Sequence, residues 1–193
     1  MEYSSRMKSY VFGFLLSFAL CIGAFPGKLS AEPVYNPEIL AGPEFDFRKT
    51  TWDMTLNQVK KSEKRRVAEE GVYQEPEGYD SYYVAYANVS CAGSKGYLIY
   101  NFYDDKLFSG TFLFFTKQDI SEALLEACIS SLGSYDAKRI SKPYGNAEVW
   151  YWDQGTTKVY LFSEPEKDED DEYHSRLEFY TASSIKGEKY PED

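Results

Sequence analysis

Residues that could carry acid–base or nucleophilic chemistry are few in this sequence and stand far apart. It has one histidine, His174, and three cysteines, of which Cys91 and Cys128 lie outside the N-terminal segment. A nucleophile needs its general base within hydrogen-bond reach, and no spacing brings His174 close to Cys91. The same three residues lack the ligand spacing of a zinc site. We therefore interpret His174 as a surface histidine and predict no catalytic residue, no metal and no cofactor.

An acidic segment at 164–172, EPEKDEDDE, is the second place where chemistry could occur. Carboxylates are ligands that Ca²⁺ prefers, but the segment lacks the glycine and the alternating spacing of a calcium-binding loop. We interpret it as a solvated loop between two strands. A pair of carboxylates could also serve a hydrolase of the glycosidase type, which is the least favoured function.

Cys91 and Cys128 have two interpretations. An even number of cysteines in an exported domain favours a disulfide, which would join the strand region near Cys91 to the helix predicted to carry Cys128. Alternatively, both are small buried apolar side chains, because free cysteine is among the most buried residue types. Both interpretations agree with the sequence.

Residues 1–31 have the pattern of a secretory signal peptide. A basic start precedes an apolar run at 10–25, and a small-residue cleavage pattern ends at Ala31. The alternatives are a retained anchor, for which the run is shorter than the roughly 20 residues of a membrane span, and a lipoprotein acylated at Cys21, for which Leu20 is unlike the small residue expected before it. We predict a periplasmic or secreted protein without a stable membrane span after cleavage.

The net charge of the chain argues against some kinds of binding partner. With 31 acidic against 21 basic residues, the formal net charge is −10. So acidic a chain repels nucleic acid and anionic lipid surfaces, and we predict neither as a partner.

The remaining sequence predicts a single α+β domain at 51–183, with an extended lead-in at 32–50 and a flexible tail at 184–193. One helix is expected to begin at Thr55, which has the spacing of a capping box with Gln58, and to end before Gly71. A second helix is indicated by apolar residues at helical spacing up to Leu132, followed by Gly133.

Runs of aromatic and β-branched residues between polar turns predict about six antiparallel strands. Helices that are segregated in this way pack on one face of the sheet. In chain order, a helix and three strands occur twice, which suggests an α-β-β-β tandem repeat. The predicted strands are 82–89, 96–103, 107–115, 148–152, 158–162 and 176–181.

Aromatic side chains are the unusual feature of the composition, at 18% of the residues. Alternation along the strands places rings on both faces of the sheet, whereas two helices cover only one. Tyrosine and tryptophan are enriched at binding hot spots, so the other face is a candidate protein-binding surface. Cross-strand ladders that only stabilise the sheet are the alternative. The candidate contacts are Tyr82, Tyr97, Tyr100, Trp150 and Tyr160.

The segment that begins Trp52-Asp53-Met54-Thr55 and continues to Val59 and Glu63 resembles the W-G-M-[ST]-x-x-x-V-x-x-x-E opening of many exported bacterial proteins, with aspartate in place of the glycine. The order of elements is similar to that of the outer-membrane-assembly lipoproteins of the SmpA/OmlA type and of the secreted β-lactamase-inhibitor proteins. The resemblance implies helices leaning on an antiparallel sheet whose exposed face meets another protein.

These observations together predict an exported, non-enzymatic protein that binds an unidentified envelope or extracellular protein through an aromatic sheet face. The alternative is a binder of a small molecule or carbohydrate, with aromatic rings lining its pocket.

Overall fold

The computed structural model describes residues 36–74, 80–142 and 146–183. The predicted signal peptide and the predicted tail lie outside these ranges. The described chain contains two helices, α1 (Leu56–Glu63) and α2 (Ser121–Leu132). It also contains eight strands: β1 (Glu69–Gln74), β2 (Asp80–Cys91), β3 (Ser94–Tyr103), β4 (Lys106–Thr116), β5 (Ala137–Ser141), β6 (Ala147–Gln154), β7 (Thr157–Ser163) and β8 (Tyr173–Thr181).

All eight strands form one antiparallel sheet in the order β1-β2-β3-β4-β8-β7-β6-β5. The α+β class is confirmed, but the prediction of about six strands is wrong. Each helix is followed by four strands, and the two halves of the chain join where β4 pairs with β8, from Ser109 opposite Tyr180 to Thr116 opposite Tyr173.

The two strands that the sequence did not predict, β1 and β5, are the edges of the sheet. Their sequences, EEGVYQ and AKRIS, are short and charged, as edge strands often are because charge discourages pairing with other chains. Neither contains an apolar run from which a strand could be predicted. Their structure depends on pairing with β2 and β6.

Helix α1 begins as predicted and ends earlier. Thr55 accepts a hydrogen bond from the backbone N–H of Gln58, and the Gln58 side chain accepts one from the backbone N–H of Thr55. The helix stops at Glu63 because Lys64 takes a left-handed conformation, with φ at 53°. The shorter helix leaves residues 69–74 free to form β1.

A single large core lies between the helices and one face of the sheet, called here the helix face. Val59 of α1 and Leu124 of α2 belong to this core together with side chains of six strands. The described part of the lead-in belongs to it as well, through Ile39, Leu40 and Phe47. The lead-in therefore covers the same face as the helices.

A buried charged network fastens the lead-in to α1. The Glu63 carboxylate accepts hydrogen bonds from Nε of Arg48 at 3.0 Å and from the hydroxyl of Tyr100 at 2.5 Å. Nη1 of Arg48 donates to the backbone carbonyl of Glu38 at 2.9 Å. Burial alone would lower the pKa of the Arg48 guanidinium, but the charge and hydrogen bonding of Glu63 raise it above its ordinary value.

The structure contains no Cys91–Cys128 disulfide and agrees with the second of the two interpretations of these cysteines. Both cysteines are free and buried in the large core, where the thiols pack as small apolar groups. Burial raises the pKa of the Cys91 thiol to about 12 and that of Cys128 well above its usual range. Neither side chain is a thiolate at neutral pH, so neither has the character of a reactive cysteine.

Candidate functional site

The face of the sheet opposite the helices is called here the far face. Within the described ranges, its two buried clusters consist of strand residues alone, and neither helix contributes to them. Strand alternation extends this face across the sheet. Its side chains include Tyr83, Ala85, Tyr97, Ile99, Thr111, Leu113, Phe115, Val149, Tyr151, Tyr160, Phe162, His174, Arg176, Glu178 and Tyr180.

An ion pair lies near the middle of the far face, on the central strand β8. Nε of Arg176 is 2.7 Å from Oε1 of Glu178. The Arg176 guanidinium also lies 3.9 Å from the centre of the Phe162 ring, and the Tyr180 hydroxyl donates to Oε2 of Glu178 at 3.1 Å. Glu178 is only 3% exposed, and this burial raises its pKa even though Arg176 and Tyr180 favour its charged form.

Aromatic rings pack beside this ion pair. Tyr160 is the common member, with ring centres 5.1 Å from Tyr151, 6.2 Å from Phe162 and 6.3 Å from Tyr180. Burial raises the pKa of Tyr160 far above its ordinary value, so its hydroxyl stays protonated. The far face therefore combines closely packed, largely buried aromatic rings with one charged pair.

The five candidate contacts divide between the two faces. Tyr97 and Tyr160 lie on the far face. Tyr100 and Trp150 are buried in the core on the helix face, and Tyr82 packs against that core. The alternation was predicted correctly, but alternation does not show which face the helices cover, and the five residues do not form one surface.

Sequence reasoning missed the central residues of the far face. Arg176, Glu178 and Tyr180 alternate with the core residues Leu177 and Phe179. Charged side chains alternating with apolar ones are typical of a strand with one solvated face, so the sequence did not indicate that Glu178 is buried. Their importance follows from the central position of β8, which the local sequence does not show.

His174 is not a surface residue, contrary to the sequence interpretation. It is 7% exposed, and its ring packs edge-on against Phe115 with the centres 5.0 Å apart. Its Nδ1 is 3.2 Å from Oε2 of Glu164, and its Nε2 is 2.9 Å from Oδ2 of Asp168. Pairing with Phe115 across β4 and β8 buries the ring.

The acidic segment folds around one of its own carboxylates. Oδ1 of Asp168 accepts hydrogen bonds from the backbone N–H groups of Asp170 and Glu172, both at 2.9 Å. These bonds help to lower the pKa of Asp168 against the opposing effect of burial. Across the ranges that the structure describes, no group of three or more histidine, cysteine, aspartate or glutamate side chains could hold a metal ion.

No known protein family, curated protein or solved structure matches this chain. Within the described part of the chain, no helix has the length and apolar character needed to cross a membrane.

Proposed function

We propose that this chain is an exported, non-enzymatic protein whose far face binds another protein of the cell envelope or extracellular space. The observation that carries the proposal is the composition of that face: tyrosine, phenylalanine and one arginine–glutamate pair on a single rigid sheet. Tyrosine and arginine are enriched among the residues that dominate binding energy at protein interfaces.

The position of the lead-in supports the proposal. In its described part, Ile39, Leu40 and Phe47 lie in the core on the helix face, so they do not cover the aromatic residues of the far face. The lead-in and the helices thus bury the rings of the helix face. On the far face Tyr160 and Phe162 are each only 6% exposed, so the rings available to a partner are those of the half-buried Tyr97, Tyr151 and Tyr180. The formal charge of −10 disfavours nucleic acid and anionic membranes as the ligand, which leaves a protein surface as the favoured partner.

The central ion pair is expected to help select and orient the partner. A charge pair in a desolvated site contributes more to the choice and orientation of a partner than to affinity. Arg176 and Glu178 lie on β8, one of the two central strands, so they would lie near the middle of an interface centred on the sheet. The surrounding tyrosines supply large contact areas with few rotatable bonds.

A charged side chain added to the far face tests the proposal. Thr111 lies on β4, paired with Ile99 and Glu178, and is half-buried. We expect Thr111→Arg to weaken partner binding at least about tenfold, which corresponds to about 1.4 kcal/mol, because the long side chain would stand between the two surfaces. The partner is first identified by photo-crosslinking from position 151, and its affinity is then measured by calorimetry.

Glu126→Arg is the matched control, because Glu126 is exposed on α2 on the opposite side of the protein. It should bind the partner as tightly as the unmodified chain. Denaturation curves of both variants verify that they are folded. Equal affinity of the folded Thr111→Arg variant and the parent would refute the proposal, and so would crosslinking to a saccharide instead of a protein.

A further inference from the structure

The imidazole of His174 is held between two carboxylates of the acidic segment that joins β7 to β8. Glu164 contacts Nδ1 and Asp168 contacts Nε2. The backbone N–H of Glu164 also donates to the carbonyl of His174 at 3.0 Å. The ring thus joins the start of the acidic segment, at Glu164, to the start of β8. Through Asp168 it also contacts the middle of the segment.

Only the protonated ring satisfies this geometry. Imidazolium donates from both nitrogens, whereas neutral imidazole has one donor and one acceptor. After deprotonation, one nitrogen would therefore present its lone pair to a carboxylate. The Asp168 contact is the shorter of the two, and Glu164 is partly exposed, so we expect the neutral ring to keep its proton on Nε2 and to lose Glu164.

The other groups around the imidazole are consistent with a protonated ring. The hydrogen bond with Glu164 raises the pKa of His174 above 6.5; burial acts in the opposite direction, and Asp168 supports the increase. From the β4 side, the uncharged Phe115 contacts the ring. Lys117 follows β4 and donates to the carbonyl of Asp170 at 2.6 Å, with Glu172 3.7 Å from its ammonium group.

We propose that His174 is a pH-operated clasp for the acidic segment at 164–172: the segment is closed while the imidazole carries its proton and loosens when that proton is lost. A group whose pKa is raised by folding stabilises the closed form at pH values below its unperturbed pKa, and this stabilisation disappears as the pH rises through the folded pKa. The clasp consequently opens towards alkaline pH. Opening would release the Glu164 carboxylate, while Asp168 would keep a hydrogen bond from the neutral ring through Nε2.

This inference does not depend on the proposed binding function. His174 lies by alternation on the far face, at the end of β8, but the acidic segment that it holds is a connection beyond the strands, and the tests of the clasp involve no partner. A failure of partner binding would leave the clasp intact, and a failure of the clasp would leave partner binding intact.

The first test is a titration of the imidazole. His174 is the only histidine of the chain, so its ring C–H signals are unambiguous in an NMR titration of the full protein. We expect a pKa above 6.5 and a decrease towards that value in Glu164→Gln. Glu169→Gln, which removes an exposed acid of the same segment, is the matched control and should shift the pKa far less. A pKa at or below 6.5 in the parent, or equal shifts in the two variants, would overturn the proposal.

The second test measures opening of the segment itself. Hydrogen exchange at the amide of Glu164, which donates to the carbonyl of His174, is followed across the titration and corrected for the intrinsic pH dependence of exchange. Each unit by which the folded pKa exceeds the open-segment pKa increases the open population about tenfold above the transition. The His174→Gln variant should show no such increase in the corrected exchange rate. A corrected exchange rate that stays constant through the titration in the parent would refute the clasp.

Discussion

Phe47→Ala is expected to lower the free energy of unfolding by about 3–5 kcal/mol, the usual range for removal of a fully buried phenylalanine. The ring is wholly buried, with its centre 4.7 Å from Phe179, 5.4 Å from Tyr100 and 5.6 Å from Phe112. It lies directly on the backbone of Gly110, where an added Cβ would overlap it. Urea denaturation followed by tryptophan fluorescence measures the loss.

Phe45→Ala is the control for this variant, since Phe45 is half-buried and lies two residues away. Phe45→Ala should lower the free energy of unfolding by clearly less than Phe47→Ala does. Gly110→Ala provides a second check because its Cβ needs the space that the Phe47 ring fills, and overpacking of this kind costs about 1–3 kcal/mol. In the Phe47→Ala background that cost should largely vanish, a non-additivity expected of residues in contact. Additive costs, or equal losses at positions 45 and 47, would show that Phe47 does not hold the core.

Glu63→Gln is expected to destabilise the fold by about 3–5 kcal/mol, because it leaves the charge of Arg48 buried without its counter-ion. The Glu63 side chain is fully buried, and Arg48 reaches it with Nε at 3.0 Å and Nη2 at 3.4 Å. The amide oxygen of the substituted side chain could still accept a hydrogen bond from Tyr100. The lost stability would therefore come from the missing charge more than from a missing hydrogen bond. The same denaturation assay measures it.

The matched control is Glu70→Gln, which neutralises an exposed glutamate paired with Lys60. Ion pairs at the surface contribute about 0–1 kcal/mol, so this variant should unfold almost as the parent does. A double change, Arg48→Met with Glu63→Leu, should recover much of the stability, since apolar pairs often replace buried ion pairs without loss. Losses of similar size at positions 63 and 70 would contradict the assigned role of the buried pair.

Local signals predicted the elements whose stability comes from nearby residues. The capping box at Thr55 and Gln58 placed the start of α1, because each side chain bonds to the backbone three residues away. The stop at Gly133 was also local, since its backbone N–H donates to the carbonyl of Ile129. Alternation correctly predicted aromatic rings on both faces of the sheet, because neighbouring side chains on a strand point to opposite faces.

Long-range contacts decided the features that were missed. The edge strands β1 and β5 have little apolar character of their own and depend on β2 and β6. The lead-in carries no periodic pattern, yet Phe47 reaches the centre of the core through contacts with β3, β4 and β8. His174 is buried by its β4 partner Phe115, which lies far away along the chain.

The sequence by itself determined the α+β class, the two helices, six of the strands and the sorting of their side chains into two sets, because these depend on hydrogen bonds and spacings within a few residues. Only the tertiary structure decided which set is covered, that Arg48 meets Glu63, and that Arg176 and Glu178 lie at the middle of the sheet. The pairing of β4 with β8 brings together segments that lie far apart along the chain, and no local preference encodes such a contact.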